Sequence, residues 1–176
     1  NGEYHLYFQH YPYGYYWGQP HWGHALSTDL IHWQQLPDVL IRHEYGGIYS
    51  GSSVVDYNNT AGFKTGENDV IVAFYTTNTK FEDEVAPSQN IAYSNDNGRT
   101  FTEYENNPVM GYGLPGEYDD LGLLDPAPVV GEDDVVYIYY KARSHEQGSS
   151  LAGARSLDGG FTFEKFDANP LKRHSG

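Results

Sequence analysis

Two octapeptides restrict what this chain can fold into. Ser94-Asn-Asp96-Asn-Gly98-Arg-Thr100-Phe101 recurs as Ser156-Leu-Asp158-Gly-Gly160-Phe-Thr162-Phe163, 62 residues on at every matched position. Each copy is followed by an Asn-Pro pair, Asn107-Pro108 and Asn169-Pro170. A looser copy, Ser27-Thr-Asp29 ending in Trp33, lies 67 residues before the first. These residue types specify a turn between two strands. Ser and Asp side chains accept backbone N–H groups, glycine supplies a positive φ, and the aromatic packs beneath the turn. The Asp residues are therefore read as structural. A strand-to-strand turn that recurs at such a period marks a repeated sheet unit. The sequence predicts an all-β chain, a β-propeller with about three blades within residues 1–176.

Between the turns run short apolar or alternating stretches at residues 4–9, 48–55, 70–76, 89–94 and 135–141, all of strand length. Little of the chain reads as helix. Asn97-Gly98 and Gly159-Gly160 are tight-turn signals, and Asn1-Gly2 reads as the tip of a hairpin whose first strand precedes it. A chain of 176 residues fits one domain with a sizeable core.

Residues 4–33 join a strand of alternating aromatics to a Trp-Gly, Trp-Gly-His pair and the first turn. Flat rings beside glycines suit a surface that meets sugar, whose C–H faces pack on aromatic faces while the rim takes hydroxyls. The same rings also suit a β-core. Aromatics make up 16% of the chain, with 17 Tyr. The net charge of −14 argues against a nucleic-acid or anionic-membrane partner, and no stretch approaches membrane-spanning length. Cysteine is absent, which removes disulfides, thiol nucleophiles and thiolate metal sites. His21, His24 and His32 make a metal cluster conceivable, and Asp119-Asp120 and Glu132-Asp133-Asp134 a calcium loop. Within-blade histidines and solvated acidic loops are the preferred readings, so no metal and no cofactor is expected. The N-terminus shows no charged segment ahead of an apolar run, hence no signal peptide, and a secreted or a cytoplasmic location both stay open.

The aromatic segment, together with Tyr49-Ser50-Gly51-Ser52-Ser53-Val54-Val55-Asp56, Asn59-Thr60-Ala61-Gly62-Phe63, Gln89-Asn90-Ile91-Ala92-Tyr93-Ser94 and Asn107-Pro108-Val109, resembles glycoside hydrolase family 32. That is the invertase, inulinase and levanase group, which acts on β-fructosides. The resemblance covers about the first 110 residues. It implies a five-bladed propeller and a retaining hydrolysis of sucrose, inulin or levan. It also implies roles for particular residues. Gln9, Trp17, Tyr49 and Ser50 fall where the family holds the fructose ring, with Trp17 as a wall of the site. Asp125, in Leu124-Asp125-Pro126, falls where the family has the transition-state-stabilising Asp of Arg-Asp-Pro, but Leu124 replaces the arginine. The family's nucleophile, in an Asn-Asp-Pro-Asn-Gly block, is expected upstream of residue 1. Its acid/base, in a Glu-Cys block, is expected near or beyond residue 176. The chain alone is therefore expected to be an incomplete catalytic domain that binds a fructoside weakly at best and hydrolyses almost nothing.

From about Glu117 the sequence looks more like the propellers of families 43 and 130, which places a possible junction at 111–118. Two rivals stand beside the fructosidase reading. A sialidase-type propeller shares the turn motif but needs an arginine cluster to grip a carboxylate, and the chain's arginines are few and partly spent in turns. A non-catalytic carbohydrate-binding or structural propeller piece accounts for the absent carboxylate blocks. Either kind of partial propeller exposes strand edges, so self-association through them is expected.

Overall fold

Short runs of β-branched and aromatic residues, each closed by Gly, Asp or Asn, leave no length for a helix. The computed structural model accordingly consists of strands, turns and loops over the residues it describes, 2–81 and 84–173. Asn1, assigned above to a hairpin tip, lies outside them.

Three antiparallel sheets follow one another along the chain. The first contains β1 (Tyr4–His10), β2 (His21–Ser27) and β3 (Gln34–Leu40), in that order. The second contains β4 (Gly51–Asp56), β5 (Val70–Phe81), β6 (Glu84–Ser94) and β7 (Thr102–Glu103), again in order. The third contains β8 (Gly122–Val130), β9 (Val136–Ser144), β10 (Gly148–Ser156) and β11 (Glu164–Lys165), with β12 (Lys172–Arg173) also against β10. Each is an up-and-down meander, the unit of a propeller blade.

The repeated turn sets the correspondence between blades. Ser27, Ser94 and Ser156 end β2, β6 and β10, which are therefore equivalent third strands. Tyr4, Ile71 and Val136 lie opposite those serines, so β1, β5 and β9 are equivalent second strands. β4 and β8 are first strands, and among the described residues the first blade has no counterpart of them.

The turns bond as their residue types require. Ser94 Oγ donates to Asp96 Oδ1 at 2.7 Å and accepts Gly98 N at 2.9 Å; Asp96 Oδ1 accepts Arg99 N and Thr100 N, and its Oδ2 accepts Thr100 Oγ1 at 2.7 Å. Ser156, Asp158, Gly160 and Thr162 repeat this set at 2.6 to 3.0 Å. In the looser copy the turn is one residue shorter: Asp29 Oδ1 accepts Ile31 N and His32 N, and the His32 ring replaces threonine at 2.7 Å from Oδ2. Asn97, Gly159 and Leu30 all take positive φ just after the Asp, at 60°, 83° and 64°. The two asparagines of the Asn-Pro pairs stand in for a strand. Asn107 Oδ1 accepts Ile91 N and its Nδ2 donates to Ile91 O, both at 2.9 Å, and Asn169 does the same to Gly153 at 2.9 and 2.8 Å.

The core lies between blades. Trp22, Leu40, Ile48, Ala73 and Tyr75 fill the first interface. Phe74, Ile91, Leu123, Ile138 and Tyr140 fill the second. The closing turn of each later blade docks on the second strand of the one before. Tyr7 Oη donates to Gly98 O at 2.7 Å, with Arg99 bonding both carboxylate oxygens of Glu3 at 2.6 and 2.7 Å beside it. At the matched step of the next interface, Gly160 lies against the Phe74 ring, which a Cβ would meet at 2.9 Å.

Candidate functional site at the interface of the first two blades

The site begins at the end of β1, where alternation aims Gln9 toward the second blade. Gln9 Nε2 donates to Ser50 Oγ at 3.3 Å, closing one side of a cavity of about 420 Å³ whose walls include Tyr7, Trp22, Tyr49 and Ser52. Trp22, buried on β2, stacks on Tyr7 with ring centres 6.2 Å apart. Its Nε1 donates to Tyr49 O at 2.6 Å, so the indole is both wall and anchor. Tyr49 and Ser50 are held from behind by one residue of β5: Tyr49 N donates to Thr76 O at 2.8 Å, and Thr76 N to Ser50 O at 3.0 Å. Gly51 follows because nothing larger fits. A Cβ there would collide with Phe74 O and come within 2.7 Å of the Trp22 ring.

These walls offer an amide, hydroxyls and ring faces, the chemistry of a neutral sugar site. Among the described residues, no carboxylate lines the cavity. His5, which also lines it, points Nδ1 at His24 Nε2 at 3.0 Å, and burial holds the pKa of both rings down.

The structure gathers Gln9, Tyr49 and Ser50 but not the other two expected site residues. Trp17 is 77% exposed on the loop between β1 and β2 and does not line the cavity. Asp125 lies across Thr76 from it, in the bulge of β8 between Leu124 and Ala127, with φ of 55°. Its backbone N donates to Thr76 Oγ1 at 3.1 Å, while the residue itself lines a second cavity of about 510 Å³ with Tyr139, Lys141, Ser150 and Arg173. Register explains the placement. Gln9, Thr76 and Lys141 occupy the same step of β1, β5 and β9, opposite Trp22, Gln89 and Leu151. Asp125 thus meets Thr76 where Ser50 meets Gln9.

Sequence reasoning missed Trp22 and Thr76. Trp22 was visible only as part of a repeated Trp-Gly pair, and Thr76 carried no signal. The histidines and acidic loops have partners within the chain. His21 shares Asp38 with His10, at 2.9 and 2.8 Å, His24 pairs with His5, and His32 with Asp29. Asp119 is not solvated as expected: it is buried and binds Lys165 Nζ at 2.6 Å.

Comparison with known proteins identifies the scaffold. Residues 1–152 match the model of the glycosyl hydrolases family 32 N-terminal domain. A levanase of Bacillus subtilis is 54% identical over 109 residues, which cover 62% of this chain and 16% of the levanase. The crystal structure of an exo-inulinase from Aspergillus awamori matches with a TM-score of 0.78 at 34% identity, over 94% of this chain and 34% of that one. A fructofuranosidase from Schwanniomyces occidentalis, complexed with fructose, matches with a TM-score of 0.76 at 36% identity, over 93% of this chain and 31% of that one. The chain therefore spans about a third or less of the relatives it resembles. The family match runs unbroken through 111–118, so the expected change toward families 43 and 130 is not supported. Asp125-Pro126 and the run of Val and Tyr after it form the β8–β9 hairpin of the third blade. Three-, four- and five-stranded sheets that follow one another as blades, with a family match over residues 1–152, make this chain a member of glycosyl hydrolase family 32.

Proposed function

We propose that the chain is part of the catalytic propeller of a β-fructosidase that hydrolyses sucrose, inulin or levan with retention. The observation that carries this is the Gln9–Ser50 bond over the Trp22 ring, a neutral sugar-sized cavity in a family 32 chain. Gln9, Tyr49 and Ser50 hold the fructosyl ring, with Trp17 as the further wall that the family resemblance assigns. Asp125 stabilises the oxocarbenium-like transition state. Support for its role is the Thr76 link, one residue bonded both to the Asp125 backbone and to Tyr49 and Ser50. With Leu124 in place of arginine, the cations that line the same cavity are Lys141, Lys172 and Arg173.

Retaining hydrolysis needs a nucleophile and an acid/base about 5–5.5 Å apart. The cavity supplies neither, so residues 1–176 alone bind fructosides without cleaving them. The exposed edge of β1 and the open face of the third blade, with Tyr139 and Leu151 outward, favour self-association of this piece.

Calorimetric titration with fructose tests the reading. Binding by the chain that is lost in Gln9→Ala, with the thermal transition unchanged, is the expected result. No binding by the folded chain removes the sugar-site assignment, and release of fructose from sucrose contradicts the non-catalytic part.

A further inference from the structure

The loop between β1 and β2, residues 11–20, carries Tyr13, Tyr15, Tyr16 and Trp17 on its outer surface, with Tyr15 wholly in solvent. Rings this exposed add nothing to the core, and a cluster of them marks a surface that something covers.

The loop holds two of these rings, Tyr13 and Tyr16, against its own backbone and neighbours. The Tyr16 ring lies on Gly14, where a Cβ would come within 2.6 Å of it, and the Tyr11 ring lies on Gly18 so closely that no Cβ fits. Tyr11 meets Tyr13 edge-on at 5.6 Å and Tyr16 at 5.5 Å. Tyr13 in turn meets His21 at 5.9 Å and lies under Arg42, which Gln19 Oε1 holds at 2.9 Å. His21 is fixed by Asp38. A continuous chain of rings thus runs from a buried histidine out to solvent, and a ligand that stacks on it orders little on binding.

The loop is also fastened to both walls of the cavity described above. It leaves β1 just after Gln9, and it returns through Pro20, whose carbonyl accepts Ile48 N at 2.7 Å; Gly47 packs so tightly on Pro20 that a side chain would clash. Ile48 leads directly into Tyr49 and Ser50.

We propose that this loop is a platform for fructosyl units of a polymeric fructan beyond the one held in the cavity. The inference rests on the fructoside reading and extends it to the size of substrate. Tyrosines present flat faces for sugar C–H groups and hydroxyls at the rim, and the loop itself carries no charged side chain. A neutral polymer fits that chemistry. An anionic membrane fits it less well, since it calls for a basic surface.

The test is affinity electrophoresis of the chain in gels containing levan, alongside calorimetric titration with fructose. Tyr15→Ala/Tyr16→Ala is expected to weaken retention by levan roughly tenfold while fructose binding is unchanged. Tyr15→Phe/Tyr16→Phe is expected to restore retention. Tyr15→Ala alone, at a position that touches nothing, separates ring loss from loop disorder and is expected to weaken retention in the same direction. Retention that is insensitive to all three variants overturns the proposal, as does a chain that binds fructose yet is not retarded by levan. Ring-dependent retention without fructose binding upholds the platform and overturns the cavity assignment instead, and a folded chain that binds neither overturns both.

Discussion

Gln9 and Thr76 occupy one and the same step of successive blades, and each bonds to the first strand region of the blade after it. Gln9 Nε2 donates to Ser50 Oγ at 3.3 Å, and Thr76 Oγ1 accepts Asp125 N at 3.1 Å. The position is a joint between blades before it is a sugar contact, which is why its residue type can change from Gln to Thr to Lys along the chain.

Thr76→Val keeps the shape of a buried side chain and removes its hydroxyl. It leaves Asp125 N unpaired in the β8 bulge and Gln89 without a neighbour, at a cost of about 1–3 kcal/mol. Urea unfolding checks this. Fructose affinity, which depends on Gln9 and Ser50, is expected to change far less than stability.

Gly51→Ala is expected to harm the cavity directly. The added methyl has no space between Phe74 O and the Trp22 ring, so either the indole or the strand must shift, costing about 1–3 kcal/mol. Trp fluorescence and a fructose titration on the same sample report both effects. Unaltered affinity in a destabilised variant would show that Trp22 is not a wall of the sugar site.

The aspartate turns give an acid-sensitive stability. Burial opposes ionisation of Asp96 and Asp158, but hydrogen bonds from Thr100 and Ser94, and from Ser156 and Thr162, outweigh it and hold both pKa values below the usual carboxylate value. Their contribution is full above the unfolded value, near 3.8, and is lost as pH falls through the lowered folded ones. Asp158→Ala therefore costs about 1–3 kcal/mol at neutral pH and flattens the acid limb of stability against pH, as thermal melts across pH 2–5 can establish.

The histidines respond in two opposite ways nearer neutrality. Burial lowers the pKa of His5 and His24, so the unfolded chain takes up protons first and stability falls as pH drops below about 6.5. The Glu103 hydrogen bond raises that of His43, whose contribution is full below 6.5 and fades as pH climbs through its raised value. Imidazole NMR titration should place His43 above 6.5 and the other two below it. His43→Gln should remove the alkaline loss in Tm and leave the acid loss intact.

The Ser-x-Asp turns were legible because they are local: every bond in them spans four residues or fewer. Strands with one covered face, such as β9, announced themselves by alternation. β2 and β10 did not, because neighbouring blades cover most of β2 on both faces, and β10 is built of Gly, Ser and Ala that fit between sheets. β8 was obscured by Pro126, Pro128 and the bulge at Asp125. Gln9, Tyr49 and Ser50 could be found from a resemblance that carries positions with it. Thr76 could not, since its importance comes from lying between two other strands, a property with no residue signature. Asp119 was misread for a related reason. The acid sits in an acidic loop, yet it is itself buried and finds a half-buried lysine 46 residues away.

The docking of Gly98 on Tyr7 and of Gly160 on Phe74 gives the second blade both a plug on its closing turn and a socket on its second strand. Such a unit is self-complementary in series. A tandem duplication of the encoding segment yields a new blade that already fits its parent, with no interface left to evolve. The turn that ends one sheet is thereby also the rule by which sheets can be added.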